Sequence, residues 1–138
     1  MLYNRLLLSS ANKGKFKVIF VYPEYNGTVY EDDSFETKSY KDSKGRGDHK
    51  ATVWEISSSE DFSSVVFNSG EDTENLISIE VTDTGIEMDE IYYIRAKFIS
   101  NTDEESEWSD ILKFETYLFQ SVINSWSDDM LVAMQGTS

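Results

Sequence analysis

The sequence contains no cysteine and only one histidine and one proline in 138 residues. Without cysteine there are no disulfide bonds and no thiolate metal ligands, so packing and hydrogen bonds alone must hold the fold. Nucleophilic catalysis would depend on His49, which follows a loop segment containing Gly45 and Gly47. We therefore expect a solvent-exposed histidine at the start of a strand rather than a catalytic triad, and no enzymatic activity.

Long apolar runs and positive charge are also scarce. The apolar triplet at residues 6–8 is too short for the core of a signal peptide, and no segment approaches the roughly 20 residues of a membrane span. The 26 acidic residues outnumber the 12 basic ones and give a formal net charge of -14. Phosphate backbones and anionic lipids repel such a protein, so we expect neither nucleic acid nor membrane as a partner.

Short sequence motifs give little evidence for a bound ligand. The acidic clusters at residues 31–33, 71–72, 103–105 and 128–129 lack the alternating order of a calcium loop, so we interpret them as solvated loops. Residues 46–48 spell Arg-Gly-Asp, an integrin-binding tripeptide that we treat as a chance match. No phosphate loop, dinucleotide fingerprint or metal-ligand spacing occurs, and we predict no cofactor and no metal.

The pattern that is present is typical of β-strands. Aromatic residues make up 14% of the chain, and β-branched residues recur in short runs between polar turns. The strongest run, residues 50–57, places Thr52, Trp54 and Ile56 on one face by the two-residue period. About seven such strands over residues 16–116 predict an all-β sandwich of the immunoglobulin-like class.

Several segments share a pattern that extends over four of these strands: residues 54–62, 66–71, 92–98, 106–110 and 114–116. Together they resemble fibronectin type III-like domains, most strongly those of bacteriophage tail and surface proteins. The resemblance implies that the Tyr92 hydroxyl bonds to nearby backbone with Ile86 packed beneath it. It also implies that Arg95 stacks on Trp108. The structural core that we expect is Trp54, Ile56, Ile86, Tyr92, Ile94, Trp108 and Phe114.

The end of the chain departs from the strand pattern. Apolar residues there recur at three- or four-residue spacing, which favours an amphipathic helix whose apolar stripe either packs back or contacts a partner. The candidate interface residues are Leu118, Val122, Trp126 and Met130. We divide the chain into an N-terminal arm at 1–13, a sandwich at 14–116 and a C-terminal anchoring segment at 117–138.

Two hypotheses of function follow. The first is a non-enzymatic virion structural protein of a tailed bacteriophage, made in the host cytoplasm, which docks with other tail or capsid proteins as a homo-oligomeric ring or symmetric array. The alternative is a bacterial carbohydrate- or cell-surface-binding module. That module would use aromatic residues outside the certain strands as a sugar platform, although the same residues also suit a core or a protein interface. These residues are Tyr22, Tyr25, Tyr30 and Tyr40.

Overall fold

The computed structural model describes residues 16–41 and 47–118, which form eight β-strands and one short 3₁₀ helix. The strands are β1 (Phe20–Tyr22), β2 (Gly27–Tyr30), β3 (Ser34–Thr37), β4 (His49–Ser57), β5 (Val65–Asn68), β6 (Ser78–Glu80), β7 (Ile91–Ser100) and β8 (Leu112–Tyr117). The 3₁₀ helix, Val81–Thr84, follows β6 directly. The predicted all-β sandwich is confirmed, with one strand more than the sequence pattern indicated.

The strands form two sheets. A three-stranded sheet has the order β1-β3-β6, and a five-stranded sheet has the order β2-β8-β7-β4-β5. All described pairings between these strands are antiparallel except that of β2 with β8. This arrangement of two facing sheets is a fibronectin III-like variant of the immunoglobulin sandwich.

The additional strand is β2, and it arises because the chain changes sheets after β1. A cis Tyr22–Pro23 peptide bond ends β1, and proline has no N–H with which to continue the ladder. The turn that follows closes with a 3.0 Å hydrogen bond from the Gly27 amide to the Glu24 carbonyl. A Cβ at Gly27 would lie 2.9 Å from that same carbonyl oxygen, so the turn requires glycine here.

The core lies between the sheets and is built around β4. All seven residues of β4 from Ala51 to Ser57 are buried. Trp54 and Ile56 face the other sheet, whereas Ala51 and Val53 face the opposite side. The Trp54 indole is fully buried, and its N–H donates a 2.8 Å hydrogen bond to the Asn75 carbonyl. That bond removes the penalty of burying an unpaired donor.

The residues expected in the core occupy two environments. Five of them are buried in the main cluster: Trp54, Ile56, Tyr92, Ile94 and Phe114. Ile86 and Trp108 are half-buried, Ile86 at the margin of the main cluster and Trp108 over the smaller cluster on the far side of β4. The Tyr92 hydroxyl accepts a 3.1 Å hydrogen bond from the Glu87 amide, which closes the corner before β7.

The two ends of the sandwich differ. β7 runs from Ile91 at one end of the sandwich to Ser100 at the other. Phe16, which precedes β1, packs near the Ser100 end, where its ring centroid lies 6.4 Å from that of Phe98. The loops at the Ile91 end are residues 31–33, 58–64 and 81–90, together with the end of β8. We call this the acidic end because these loops and Glu80 hold ten carboxylates and no Lys or Arg.

Several predictions from the sequence fall on residues outside the described ranges. These are the whole N-terminal arm, Arg46 of the tripeptide, and the candidate interface residues Val122, Trp126 and Met130 with the predicted helix that contains them. Leu118 is described and lies half-buried just after β8.

Replacing Trp54 with alanine should lower the free energy of unfolding by roughly 3–5 kcal/mol, because it leaves a cavity between the sheets and an unpaired Asn75 carbonyl. Urea denaturation followed by circular dichroism measures this change. Tyr25→Ala is the control, because Tyr25 is 66% exposed and its loss should change stability by no more than about 0.5 kcal/mol. Equal effects of the two substitutions would contradict the core assignment.

Candidate functional site

His49 is packed and hydrogen-bonded rather than exposed, so the expectation of a solvent-exposed histidine is wrong. It is the first residue of β4, stacked on Tyr40 with ring centroids 5.1 Å apart and 4.2 Å from the Phe98 ring. Its Nε2 lies 3.0 Å from the Ala51 carbonyl and 2.7 Å from the Thr52 hydroxyl. A carbonyl only accepts, so Nε2 carries the proton and is not free to act as a base. Burial lowers the pKa of the imidazole.

The acidic side chains in the described part of the chain do not gather into a metal site. Within residues 16–41 and 47–118, no group of three or more His, Asp or Glu side chains is arranged to hold a metal ion. Asp72, in one of the acidic clusters, accepts 2.9 Å hydrogen bonds from the backbone amides of Glu74 and Asn75, which is a turn-forming role. In the same part of the chain, no helix is long and apolar enough to cross a membrane.

The four candidate tyrosines do not assemble into a sugar platform. The Tyr22 hydroxyl donates to the Asp33 carboxylate, and burial together with that carboxylate raises the pKa of Tyr22. The Tyr40 ring packs against the rings of Phe16 and His49, and Tyr30 is half-buried. Tyr25 alone of the four is mostly exposed. The sequence pattern could not separate them because the register of the first strands, in or near which all four lie, is not set by the sequence alone.

Part of the outer face of the five-stranded sheet is covered by side chains of the chain itself. The Arg95 guanidinium lies between the Phe62 and Trp108 rings, 4.2 Å from each centroid, and is 2.6 Å from the Glu55 carboxylate. Lys97 lies 4.9 Å from the Trp108 ring. The stacking that the resemblance implied is therefore present, and it covers Arg95 and its surroundings on β7.

The outer face of the three-stranded sheet is open and partly apolar. Ile19 lies just before β1 and Val21 lies within it, and they are 53% and 51% exposed. The Ile19 carbonyl accepts a hydrogen bond from the Lys38 amide, which follows the neighbouring strand β3. We call Ile19 and Val21 the aliphatic face.

A basic concavity adjoins the aliphatic face. It has a volume of about 420 Å³ and is lined by Lys17, Ile19, Lys38 and Lys41, with Ser39 and Phe98. Lys17 is held by a 2.5 Å ion pair with Asp110. In a chain of net charge -14, three lysines around one concavity mark this side as locally positive.

The acidic end contains a groove with an apolar floor. Val81, Ile86, Met88 and Leu118 line it together with Thr82, and its volume is about 470 Å³. Its rim carries three carboxylates, those of Glu31, Glu87 and Asp89. We call this the acidic groove. Leu118 is the one predicted interface residue that the structure describes, and it lies here rather than on the aliphatic face.

The burial of His49 predicts a pH-dependent stability. The pKa of the imidazole in the folded chain is below its ordinary value of 6.5, so the unfolded chain binds more protons as pH falls. The wild type should therefore lose stability from about pH 7.5 to pH 5.5 relative to His49→Gln, whose side chain does not titrate. The difference between the urea midpoints of the two proteins at each pH measures the effect of His49. The carboxylates titrate in both proteins, so their contribution cancels in this difference. Parallel curves would show that His49 is not buried in its neutral form.

No model of a known protein family matches the chain, and no curated protein sequence matches it. Solved structures do resemble it. An α-L-rhamnosidase from Dictyoglumus thermophilum matches 77% of this chain with a TM-score of 0.59 and 18% identity. An α-L-rhamnosidase from Streptomyces avermitilis, complexed with L-rhamnose, matches 74% with a TM-score of 0.50 and 17% identity.

The chain spans 13% and 10% of the lengths of these two rhamnosidases, so the likeness concerns one small part of each. Fibronectin(III)-like modules of Clostridium thermocellum CbhA match 72% of this chain and 98% of their own, with a TM-score of 0.44 and 12% identity. At 18% and 17% identity, the likeness to the two rhamnosidases reports the fold and not an activity.

Proposed function

We propose that this chain is a non-enzymatic structural subunit that acts through protein–protein contacts. In its specific form, the proposal is a virion structural protein of a tailed bacteriophage, such as a tail collar, fibre-attachment or decoration subunit. The single observation that supports it best is the aliphatic face, where Ile19 and Val21 are each about half exposed on the outer side of the three-stranded sheet.

Exposed aliphatic side chains grouped on one sheet face are typical of a contact surface. Burying them against a partner is favourable by roughly 25 cal/mol for each Å² of apolar area removed from water. They lie in and beside an edge strand that is only three residues long and is followed by Pro23. A short edge and a proline both disfavour addition of another strand. We therefore expect side chains of the partner to pack on this face, without extension of the sheet.

The rigid frame also suits a spacer in an assembly. β4 and β7 pair along nearly their whole length, from His49 opposite Ser100 to Ser57 opposite Tyr93. The assignment to a tailed bacteriophage rests on the sequence resemblance of residues 54–62 and 92–98 to tail-protein domains. The partners in this proposal are other tail or capsid proteins, and the location is the virion surface. A charge of -14 keeps free subunits apart before they dock.

The carbohydrate-binding alternative has less support because its tyrosines do not share a surface. Tyr22 and Tyr40 are engaged in contacts within the chain. Of the remaining two, only Tyr25 is mostly exposed, and a single ring is a weak platform for a sugar. Screening the full chain on a glycan array tests this alternative directly.

Substituting serine at Ile19 and Val21 together should weaken docking onto virion particles at least tenfold while leaving the thermal unfolding midpoint nearly unchanged, because both side chains are already half in water. Co-sedimentation of the purified chain with tail and capsid fractions from lysates of the host measures docking. Val66→Ser is the matched control, since Val66 is 50% exposed on β5 of the other sheet.

Immunogold labelling of whole particles gives a second measurement, and label at one fixed position supports the proposal. The proposal fails if the wild type neither sediments with nor labels any particle. Specific binding on the glycan array would then favour the alternative.

A further inference from the structure

We infer that the outer side of β7 and β8 is a two-fold contact surface, on which two copies of this chain pack face to face. Five residues define this surface, which we call the β8 face: Ile91, Tyr93, Lys113, Glu115 and Tyr117. The inference goes beyond the proposed function, which concerns the aliphatic face and other virion proteins, and it does not depend on it.

The alternation of the two strands turns these side chains outward. Tyr92 and Phe114 lie opposite each other in the pairing of β7 with β8, and both are buried in the core. Because successive residues of a strand point to opposite sides, their neighbours along each strand point to the outer side of the sheet.

The β8 face is open in the described part of the chain. Ile91 and Tyr117 are 47% and 39% exposed, and the other three residues are half-buried. A hollow of about 300 Å³ lies over Ile91, Lys113, Glu115 and Tyr117. The cation–π stack covers β7 only beyond Tyr93, so it leaves this part of the sheet available for contact.

The register of β7 with β8 arranges four of these residues in two levels. Ile91 lies opposite Glu115, and Tyr93 lies opposite Lys113. Each level therefore combines one mainly apolar side chain with one charge, and the sign of the charge differs between the two levels.

Half a turn about an axis that crosses the strands between these levels exchanges them. In the resulting dimer, Lys113 faces its partner's Glu115, and Ile91 faces its partner's Tyr93. Facing sheets lie roughly 10 Å apart, a gap that a lysine and a glutamate side chain span together. Each contact occurs twice, so the face is complementary to itself, as an isologous contact requires.

Charge favours a second copy as the occupant. The β8 face holds one lysine and one glutamate and is neutral, whereas the whole chain carries a charge of -14. Within residues 16–41 and 47–118, Lys113 has no ion pair, and its partner's Glu115 supplies one. The Tyr117 hydroxyl donates a 2.8 Å hydrogen bond to Glu115, which holds that carboxylate on the outer side. A uniformly acidic or basic partner would oppose one of the two charges with a like charge.

The direction of the rotation also keeps the two acidic ends apart. Each acidic end lies beside Tyr117, and the rotation places Tyr117 at the level of its partner's Ile111, six residues along the strand. Six strand residues correspond to roughly 20 Å, about two and a half Debye lengths at physiological salt. A rotation about an axis along the strands would bring the two acidic ends together, so repulsion disfavours it.

The contact is small. Two strands provide less area than the roughly 800 Å² per partner of a standard interface, so the dimer should be weak and depend on protein concentration. In an assembly that holds subunits close together, a weak contact still contributes through its high effective concentration.

Charge reversal in the full chain tests the inference. Lys113→Glu makes the face acidic and Glu115→Lys makes it basic, so each variant opposes like charges across the two-fold contact. Sedimentation equilibrium over a concentration series should show a dimer for the wild type and at least tenfold weaker dimerisation for either variant. Circular dichroism checks that both variants are folded. The double variant, Lys113→Glu with Glu115→Lys, keeps the composition of the wild type and should dimerise as the wild type does.

An equal mixture of the two single variants gives a second measurement. The acidic face of one variant then meets the basic face of the other, so a heterodimer should form although neither variant pairs with itself. Labelling one variant with a heavy nitrogen isotope lets native mass spectrometry identify the heterodimer. If neither the mixture nor the double variant restores dimerisation, the inference is overturned.

Matched controls separate the local effect from that of net charge. Lys41→Glu and Glu104→Lys, each tested alone, make the same charge changes at exposed positions outside the β8 face. Dimerisation should be unchanged in both. The inference is overturned if these controls weaken the dimer as much as the β8-face variants do, or if the wild type is monomeric at every concentration.

The two proposals fail separately. If Ile19→Ser with Val21→Ser abolishes the dimer and Lys113→Glu does not, the copies meet through the aliphatic face and the inference is overturned. A wild type that dimerises as described but docks onto no virion particle overturns the proposed function and leaves the two-fold contact standing.

Discussion

The burial of β4 between two layers of side chains is the constraint on which the rest of the structure depends. Trp54 and Ile56 fill the space between the sheets, and Ala51 and Val53 support the cluster beneath Trp108. A strand covered on both faces holds its neighbours in register, and the Trp54 indole N–H further links it to the Asn75 carbonyl before β6. The two sheets are thus joined by packing and by a directional bond.

This constraint also influences where the basic side chains lie. Beside the central strands, Arg95 is held between Phe62 and Trp108 and paired with Glu55, and Lys97 is paired with Glu105. Lys50 lies 2.6 Å from Asp103, near the end opposite the acidic one. Basic side chains therefore lie along the five-stranded sheet and at that opposite end, whereas the loops of the acidic end contain no Lys or Arg. The polarity of the molecule follows from this distribution and not from its net charge alone.

Binding through surfaces is consistent with both features. On the larger sheet, a cation–π stack covers part of the outer face, and His49 is held by stacking and by the Ala51 carbonyl. The open surfaces in the described part of the chain include the aliphatic face, the basic concavity beside it and the acidic groove. These are shallow, extended surfaces suited to side chains of a partner protein, with different chemistry at different places on the molecule.

The sequence by itself determined the strands and the core, because the two-residue period is a local property. It is enough to place Trp54 and Ile56 on one face, and Tyr92 and Ile94 on another, without knowledge of any partner strand. The short strand β2 escaped prediction because its pairing is with β8, more than eighty residues later in the chain. His49 was misjudged for the same reason: the glycine-containing segment before it indicates a loop, whereas the Tyr40 and Phe98 rings that bury it come from other elements.

Only the tertiary structure decided which surfaces remain open. The sequence shows acidic residues at 31–33 and again at 83–90, but not that the two segments meet beside Leu118 at one end. It shows the apolar run that contains Ile19 and Val21, but not that their side of β1 is left uncovered. Hydrophobic periodicity reports which residues of a strand share a face, whereas the covering of that face depends on contacts between segments distant in the chain.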